Sequence, residues 1–281
     1  MGTVRVVSAI EDISLNNGTS IPQLGFGLWQ VPDDVAETVV GEALKVGYRH
    51  LDTAALYRNE EGVGRAVASS GIPRAELFIT TKLGNGSHGY DAALQAFDRS
   101  LDRLGTDYVD LYLIHWPQPS RDLYVETWRA LQQIYADGRA KAIGVSNFTT
   151  EHLQRLADET DIVPVLDQVE THPYLAQRDT RSYLSAHGIV HEAWSPLGQG
   201  GELLSDPVIT AIAGAHDATA AQVVLAWHLE RGSVVIPKSV TPSRIAENFA
   251  AATLTLTAAE MAEVDALDRN GRIGPHPDDA R

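Results

Sequence analysis

The chain has 281 residues, 44% of them hydrophobic and 21% charged, with a formal net charge of −15 and no cysteine. This is the composition of a globular protein with ample core, and the acidic balance argues against nucleic acid or an anionic membrane as partner. Disulfides, thiolate metal sites and cysteine nucleophiles are excluded, no run approaches the roughly 18 apolar residues of a membrane span, and MGTVRVVSAIEDISL lacks a signal-peptide core.

The expectation is a cytoplasmic, monomeric protein whose residues 1–281 form one domain with no linker. Any anionic ligand must meet a local basic site. The first expected element is a hairpin, Ile13–Leu15 and Thr19–Ile21 around Asn16-Asn17-Gly18, where Asn-Gly supplies the two positive φ values of a type I′ turn. A strand over Gln23–Trp29 follows, with glycines that admit close neighbours. Asp33-Asp34 caps a helix whose apolar face includes Val35, Val39, Ala43 and Leu44.

From there strand and helix alternate. The strand Arg49–Asp52 precedes a helix started by Asn59 and running through Val63 and Val67. Leu77–Thr81 precedes Asp91–Leu104, and Asp110–Ile114 precedes Leu123–Ala136, stopped by Asp137-Gly138. Ala142–Val145 precedes Thr149–Ala157, Val165–Val169 precedes Gln177–His187, and Ile189–Trp194 comes before a helix over Thr219–Glu230 and a last strand at Val234–Ile236. Eight such strands point to an α/β fold, a closed (β/α)₈ TIM barrel, rather than an open doubly wound sheet.

Ionisable residues stand at three strand ends. Asp52 closes the second barrel strand with Tyr57 five residues on, Lys82 closes the third, and His115-Trp116-Pro117 follows the fourth. An Asp in that position is ordinarily a turn residue, but long ionisable side chains at the ends of buried strands are costly unless paired, so the four are expected to converge. A buried ammonium beside a phenol favours the phenolate and lowers the tyrosine pKa from about 10, making Tyr57 a proton donor and acceptor near neutrality.

LGFGLWQVP, YRHLDTAALYRNEEGVG, LFITTKL, VDLYLIHWP, IGVSNF and VIPKSV together resemble the signature of the aldo-keto reductases, and within them the bacterial 2,5-diketo-gluconate reductase branch; the resemblance runs from Ile13 to His276-Pro277. It implies a barrel plugged at its bottom by the hairpin and an NADPH-dependent oxidoreductase that reduces aldehydes, α-diketones and keto-sugars. Tyr57 is the implied proton donor, tuned by Lys82 and Asp52, with His115 orienting the carbonyl and Trp29 and Trp116 lining the substrate pocket. For the cofactor it implies Gly27, Leu28, Trp29, Asp52, Ser146, Asn147, Gln168 and a stacking Trp194. The loop Ser195, Pro196, Leu197 and Gly198 lies over the pyrophosphate, Lys238, Ser239, Val240 and Arg244 hold the 2′-phosphate, and Glu247 and Asn248 hold the adenine. Read singly, each amide or tryptophan is ordinarily a core group, and the lysine-arginine segment serves equally well as a solvated helix start.

Gly62-Val63-Gly64 resembles part of a dinucleotide fingerprint but lies in a helix, with Val67 at the third glycine position. His172, His187 and His191 lack metal-ligand spacing, so no metal is expected. Two departures from the family pattern stand out. Gly84-Asn85-Gly86 replaces an aromatic pocket wall with a mobile pair of glycines, and Asp167 stands where relatives often have Asn, bringing charge near the nicotinamide. With the short tail 270–281, the first suggests a wide pocket. Two rival readings are a non-catalytic NADPH-binding regulatory subunit and a glycosidase; the latter needs two facing acids, for which only Asp52 and Asp167 are candidates.

Overall fold

The computed structural model describes residues 10–279; the parts of the N-terminal and tail expectations on residues 1–9 and 280–281 lie outside them. Two short strands, β1 (Asp12–Ser14) and β2 (Ser20–Pro22), pair antiparallel. Eight parallel strands follow in chain order, each beside the next: β3 (Gly25–Gly27), β4 (His50–Asp52), β5 (Phe78–Leu83), β6 (Val109–Ile114), β7 (Ala140–Ser146), β8 (Leu166–Glu170), β9 (Val190–Trp194) and β10 (Val234–Val235). A bridge between Leu24 and Val235 joins the two ends of this sheet, completing the (β/α)₈ barrel.

The helices are α1 (Asp33–Val46), α2 (Glu60–Ser69), α3 (Tyr90–Leu104), α4 (Tyr124–Ala136), α5 (Thr150–Glu159), α6 (Arg178–Ala186), α7 (Pro207–Ala215), α8 (Ala220–Glu230), α9 (Pro242–Ala250) and α10 (Ala258–Asp265). Neither α7 nor α10 stands out in the strand-helix rhythm. No single helix among the described residues is long and apolar enough to cross a membrane.

The hairpin closes the bottom of the barrel, with a turn other than expected. Only Gly18 has a positive φ, 83°. The Gly18 N–H donates to Leu15 O at 3.1 Å and Leu15 N–H to Thr19 O at 2.8 Å, giving a three-residue loop instead of a type I′ turn. The asparagine amides reach across instead, Asn16 to Pro164 O and Asn17 to Lys141 O, each at 3.0 Å. Leu15 and Ile21 plug the barrel floor against Leu111, Leu113, Ala142, Leu166 and Val234, each contributing about 1.5–3 kcal/mol by burial.

Three helices begin with capping boxes, at Thr149/His152, Thr219/Gln222 and Thr257/Glu260. The two caps expected at Asp33-Asp34 and Asn59 are not made, because both side chains tie separate segments together. Asp33 accepts from Gly62 N–H at 2.6 Å and from Arg65 at 2.9 Å, and Asn59 donates to Leu28 O and Val31 O, both at 2.9 Å. Val35 is exposed, leaving Val39, Ala43 and Leu44 as the buried face with Ala36 and Val40. Gly62 and Gly64 are packing glycines: a Cβ on them would fall 2.4 Å from Asp33 O and 2.5 Å from Leu104 O, where α2 meets the start of α1 and the end of α3.

Candidate active site

Strand alternation selects which side chains meet inside the barrel. Asp52 on β4 and Lys82 on β5 point inward and meet at 2.5 Å, Oδ1 to Nζ. The neighbouring Thr81 points outward and donates to Glu60, which Arg103 also holds. Lys82 lies within β5 rather than beyond its end, is fully buried, and also donates to Thr53 O at 3.1 Å and to the Tyr57 hydroxyl at 3.4 Å. The Tyr57 ring meets the His115 ring edge-on, centroids 5.6 Å apart. All four residues expected from the strand ends therefore come together at the C-terminal mouth of the barrel.

Burial pulls the Lys82 ammonium down, but Asp52, Tyr57 and Glu192 hold it above the ordinary lysine value. Burial pushes the Asp52 carboxyl up against the pull of Lys82 and Gln168. The Tyr57 phenol, expected to be acidified, is instead raised. Its burial, with the Asp52 and Glu192 carboxyls adding to it, outweighs Lys82, so the neutral phenol prevails and carries a proton to give. Burial and Lys82 hold His115 well below its ordinary value, leaving a neutral imidazole.

Beneath these four lies a second polar group that the strand-end reading passed over. Gln168 Nε2 donates to Asp52 Oδ2 and to Glu192 Oε2, both at 2.8 Å. His50 Nε2 is 3.8 Å from Glu192 Oε1 and 3.1 Å from Thr80 Oγ1. A Cβ on Gly25 would fall 2.4 Å from the His50 ring, so that glycine makes the room for it. Burial and the Asp52 charge push Glu192 up to about 8, and burial pulls His50 down to about 3. The signal was present in the sequence as His191-Glu192, an imidazole and a carboxylate inside an otherwise apolar strand. His50, Asp52 and Glu192 bring ligand atoms within 4.8 Å of one another, but the Lys82 ammonium already supplies positive charge there, so they are an acid–base network rather than metal ligands.

Gln168, expected at the cofactor, is thus buried between two carboxylates, while several other expected cofactor residues are tied to the same strand ends. Leu28 N–H donates to Asp52 O and Gly27 N–H to Pro237 O, and a Cβ on Gly27 would fall 2.6 Å from Ile236 O, so only glycine allows this approach. Trp29 is 43% exposed beside them. Ser146 Oγ donates to Gln168 O, and Asn147, at φ 62°, donates to His115 O and accepts from Trp194 Nε1 at 2.8 Å. Trp116 meets Trp194 edge-on at 6.5 Å. The loop from Ser195 through Pro196 and Leu197 turns at Gly198, φ 60°, against Leu203.

After β10, Lys238, Val240 and Arg244 are exposed around the start of α9, and Ser239 Oγ accepts from Thr241 N–H. Further along α9, Asn248 is buried and Glu247 accepts from Thr219 Oγ1 at 2.8 Å.

Three expectations about this region are corrected. Asp167 puts no charge in the site: it faces the helix layer, accepts from Phe148 N–H, and is pushed well above the ordinary carboxylate range by burial. The loop at Gly84 is held rather than free. Residues Asn85–Ser87 form a 3-10 turn, Ser87 N–H donates to Gly84 O, Arg121 donates to Asn85 O, and Leu56 comes within 3.6 Å of where a Gly84 Cβ would stand. The tail is pinned too, since Ile273 and Gly274 N–H donate to the buried Glu170 at 2.7 and 2.8 Å.

The three histidines weighed as metal ligands have separate hydrogen-bonding or stacking partners. His172 pairs with Glu170 at 3.0 Å, His187 stacks on Tyr183, and His191 lies between Thr171 and Ser233.

The sequence model described as the Aldo/keto reductase family matches residues 23–269. The chain is 49% identical to methylglyoxal reductase of Escherichia coli K12 over 95% of this chain and 96% of that one. It is 47% identical to glyoxal reductase of Bacillus subtilis 168 over 96% and 97%. A crystal structure of a mutant Gox0644 protein in complex with NADPH is similar with a TM-score of 0.94 and 47% identity, covering 98% of this chain and 100% of that one.

Proposed function

The chain belongs to the aldo/keto reductase family, and from that premise we propose that it is an NADPH-dependent reductase of small aldehydes and α-dicarbonyl compounds, with Tyr57 as proton donor. The observation that carries the reading is Lys82, whose ammonium touches both Asp52 and the Tyr57 hydroxyl while His115 stands across the phenol.

The residues present fit the cofactor. Two exposed cations, Lys238 and Arg244, flank the first turn of α9 in a chain of net charge −15, a local basic site of the kind a 2′-phosphate requires. Ser146 and Asn147, beside the half-exposed Trp194, suit a carboxamide and a flat ring. When bound, NADPH supplies the hydride that reaches the carbonyl carbon.

The chain's own part is the proton. Neutral His115 donates a hydrogen bond to the carbonyl oxygen and fixes its position. The Tyr57 O–H gives its proton to that oxygen as negative charge develops, and Lys82, held by Asp52, stabilises the phenolate left behind until solvent reprotonates it. The relatives' names, methylglyoxal and glyoxal reductase, favour α-dicarbonyls among substrates. The test is NADPH consumption across a panel of small aldehydes, α-dicarbonyls and keto-sugars. Tight NADPH binding with no turnover on any of them would overturn the reading in favour of a cofactor-sensing subunit.

A further inference from the structure

We propose that Glu192 is a positioning residue for this reaction: through Gln168 it holds Asp52, and by gaining or losing a proton it sets how firmly Tyr57 keeps its own. The inference rests on the reductase reading for its kinetic consequence but on geometry for its substance. One amide nitrogen, Gln168 Nε2, lies 2.8 Å from a carboxylate oxygen of Asp52 and 2.8 Å from one of Glu192, inside the barrel where all three side chains are buried.

Two carboxylates sharing one donor cannot both be charged there without strong repulsion, so one proton stays with the pair. Asp52 has the ammonium at 2.5 Å and Glu192 has none, which leaves the proton on Glu192. The groups facing Glu192 are Asp52 and His50 of β4, Lys82 of β5 and Gln168 of β8, while β10 sets Val234 opposite it. His50 is neutral, so nothing but Lys82 offsets a second negative charge.

In the neutral state the set Lys82 ammonium, Asp52 carboxylate, Glu192 acid and Tyr57 phenol carries no net charge. Ionising Glu192 makes the set negative, and the charge reaches Tyr57 through a medium with little screening, raising the phenol's hold on its proton. Carbonyl reduction needs the phenol and the reverse alcohol oxidation needs the phenolate, so Glu192 extends reduction toward alkaline pH and delays oxidation.

The experiment uses the whole chain and two readings. In Glu192→Gln the alkaline fall of kcat for reduction and the alkaline rise for oxidation both move to lower pH, by roughly one unit or more, with the change in kcat rather than KM. Tyrosinate formation followed by ultraviolet difference titration, with Tyr57→Phe subtracted, moves the same way and needs no turnover. Glu192→Met, also unable to ionise, gives the same displacement and loses more kcat at acid pH than Glu192→Gln, because Gln168 is left with one acceptor. Tyr57 titrations that superimpose in the wild type and both variants overturn the inference, whether or not the chain turns over. Absence of turnover with a shifted titration overturns the reductase reading alone.

Discussion

Gly274 lies edge-on to the indole of Trp194, so close that a Cβ on it would stand 2.6 Å from Cη2 and 3.1 Å from Glu170 Oε2. The tail and the ring that faces the mouth of the barrel therefore fix one another. Gly274→Ala must displace the indole or lift the tail, and overpacking of this kind costs about 1–3 kcal/mol. The expected result is NADPH binding weakened by about tenfold, read by quenching of protein fluorescence, together with a melting temperature lowered by a few degrees.

Tyr57→Phe removes one hydroxyl from the hydrogen-bonding reach of Lys82 and little surface. Reduction of methylglyoxal is expected to fall by about 10² to 10⁴ in kcat, while the NADPH dissociation constant changes by less than about threefold. A variant with wild-type turnover would remove Tyr57 from the acid role.

Arg244→Ala tests cofactor choice. The loss of one charge-assisted contact, worth roughly 1.5–3 kcal/mol, weakens NADPH binding by about ten- to a hundredfold and NADH binding much less. Equal losses for the two would show that Arg244 does not read the 2′-phosphate.

Glu170 links the tail to pH. Burial tends to raise its carboxyl, but His172 and the N–H groups of Ile273 and Gly274 outweigh burial and hold it below the ordinary value of 4.5. A depressed folded-state value means stabilisation present above the unfolded value and lost as pH falls through the folded one. Amide exchange at Ile273 and Gly274 should therefore speed up, relative to the intrinsic rate, as the pH falls below the ordinary carboxylate value of 4.5 and before the barrel unfolds. Glu170→Gln, which leaves one of the two N–H groups a neutral amide oxygen and the other no acceptor, should lower stability by about 1–3 kcal/mol at neutral pH.

The barrel and its four-residue cluster were legible because each signal was local: an apolar run, then one ionisable residue at its end. Asp52, Lys82 and His115 are found this way. Glu192 was passed over: His191-Glu192 marks a polar break in an apolar strand, but its partners Asp52 and Gln168 are 140 and 24 residues away, and nothing local says which of the two faces inward. Asp167 was misplaced for a related reason. Residues 167 and 168 differ only in which face of β8 they take, and that phase is set by the closing of the ring rather than by neighbours in sequence. The Tyr57 shift was missed because it depends on the sum of burial and three charges, and the strand ends displayed only Lys82 and Asp52, neither Glu192 nor the extent of burial.

The ring has a seam. Between β3 and β10 the sheet is joined by a single bridge, Leu24 to Val235, and by the bonds Val235 N–H to Gln23 O and Gly27 N–H to Pro237 O, where other neighbours share longer ladders. The two lips of that seam continue directly into Leu28-Trp29 on one side and Lys238–Arg244 on the other, both proposed to grip the same dinucleotide. A ligand held by both lips acts as a clasp across the weakest join of the barrel, so its departure loosens the cylinder itself as well as emptying a surface groove. Proteases and heat should then find their first entry at this one meridian, and the supply of reduced cofactor would govern how long each molecule lasts as well as how fast it works.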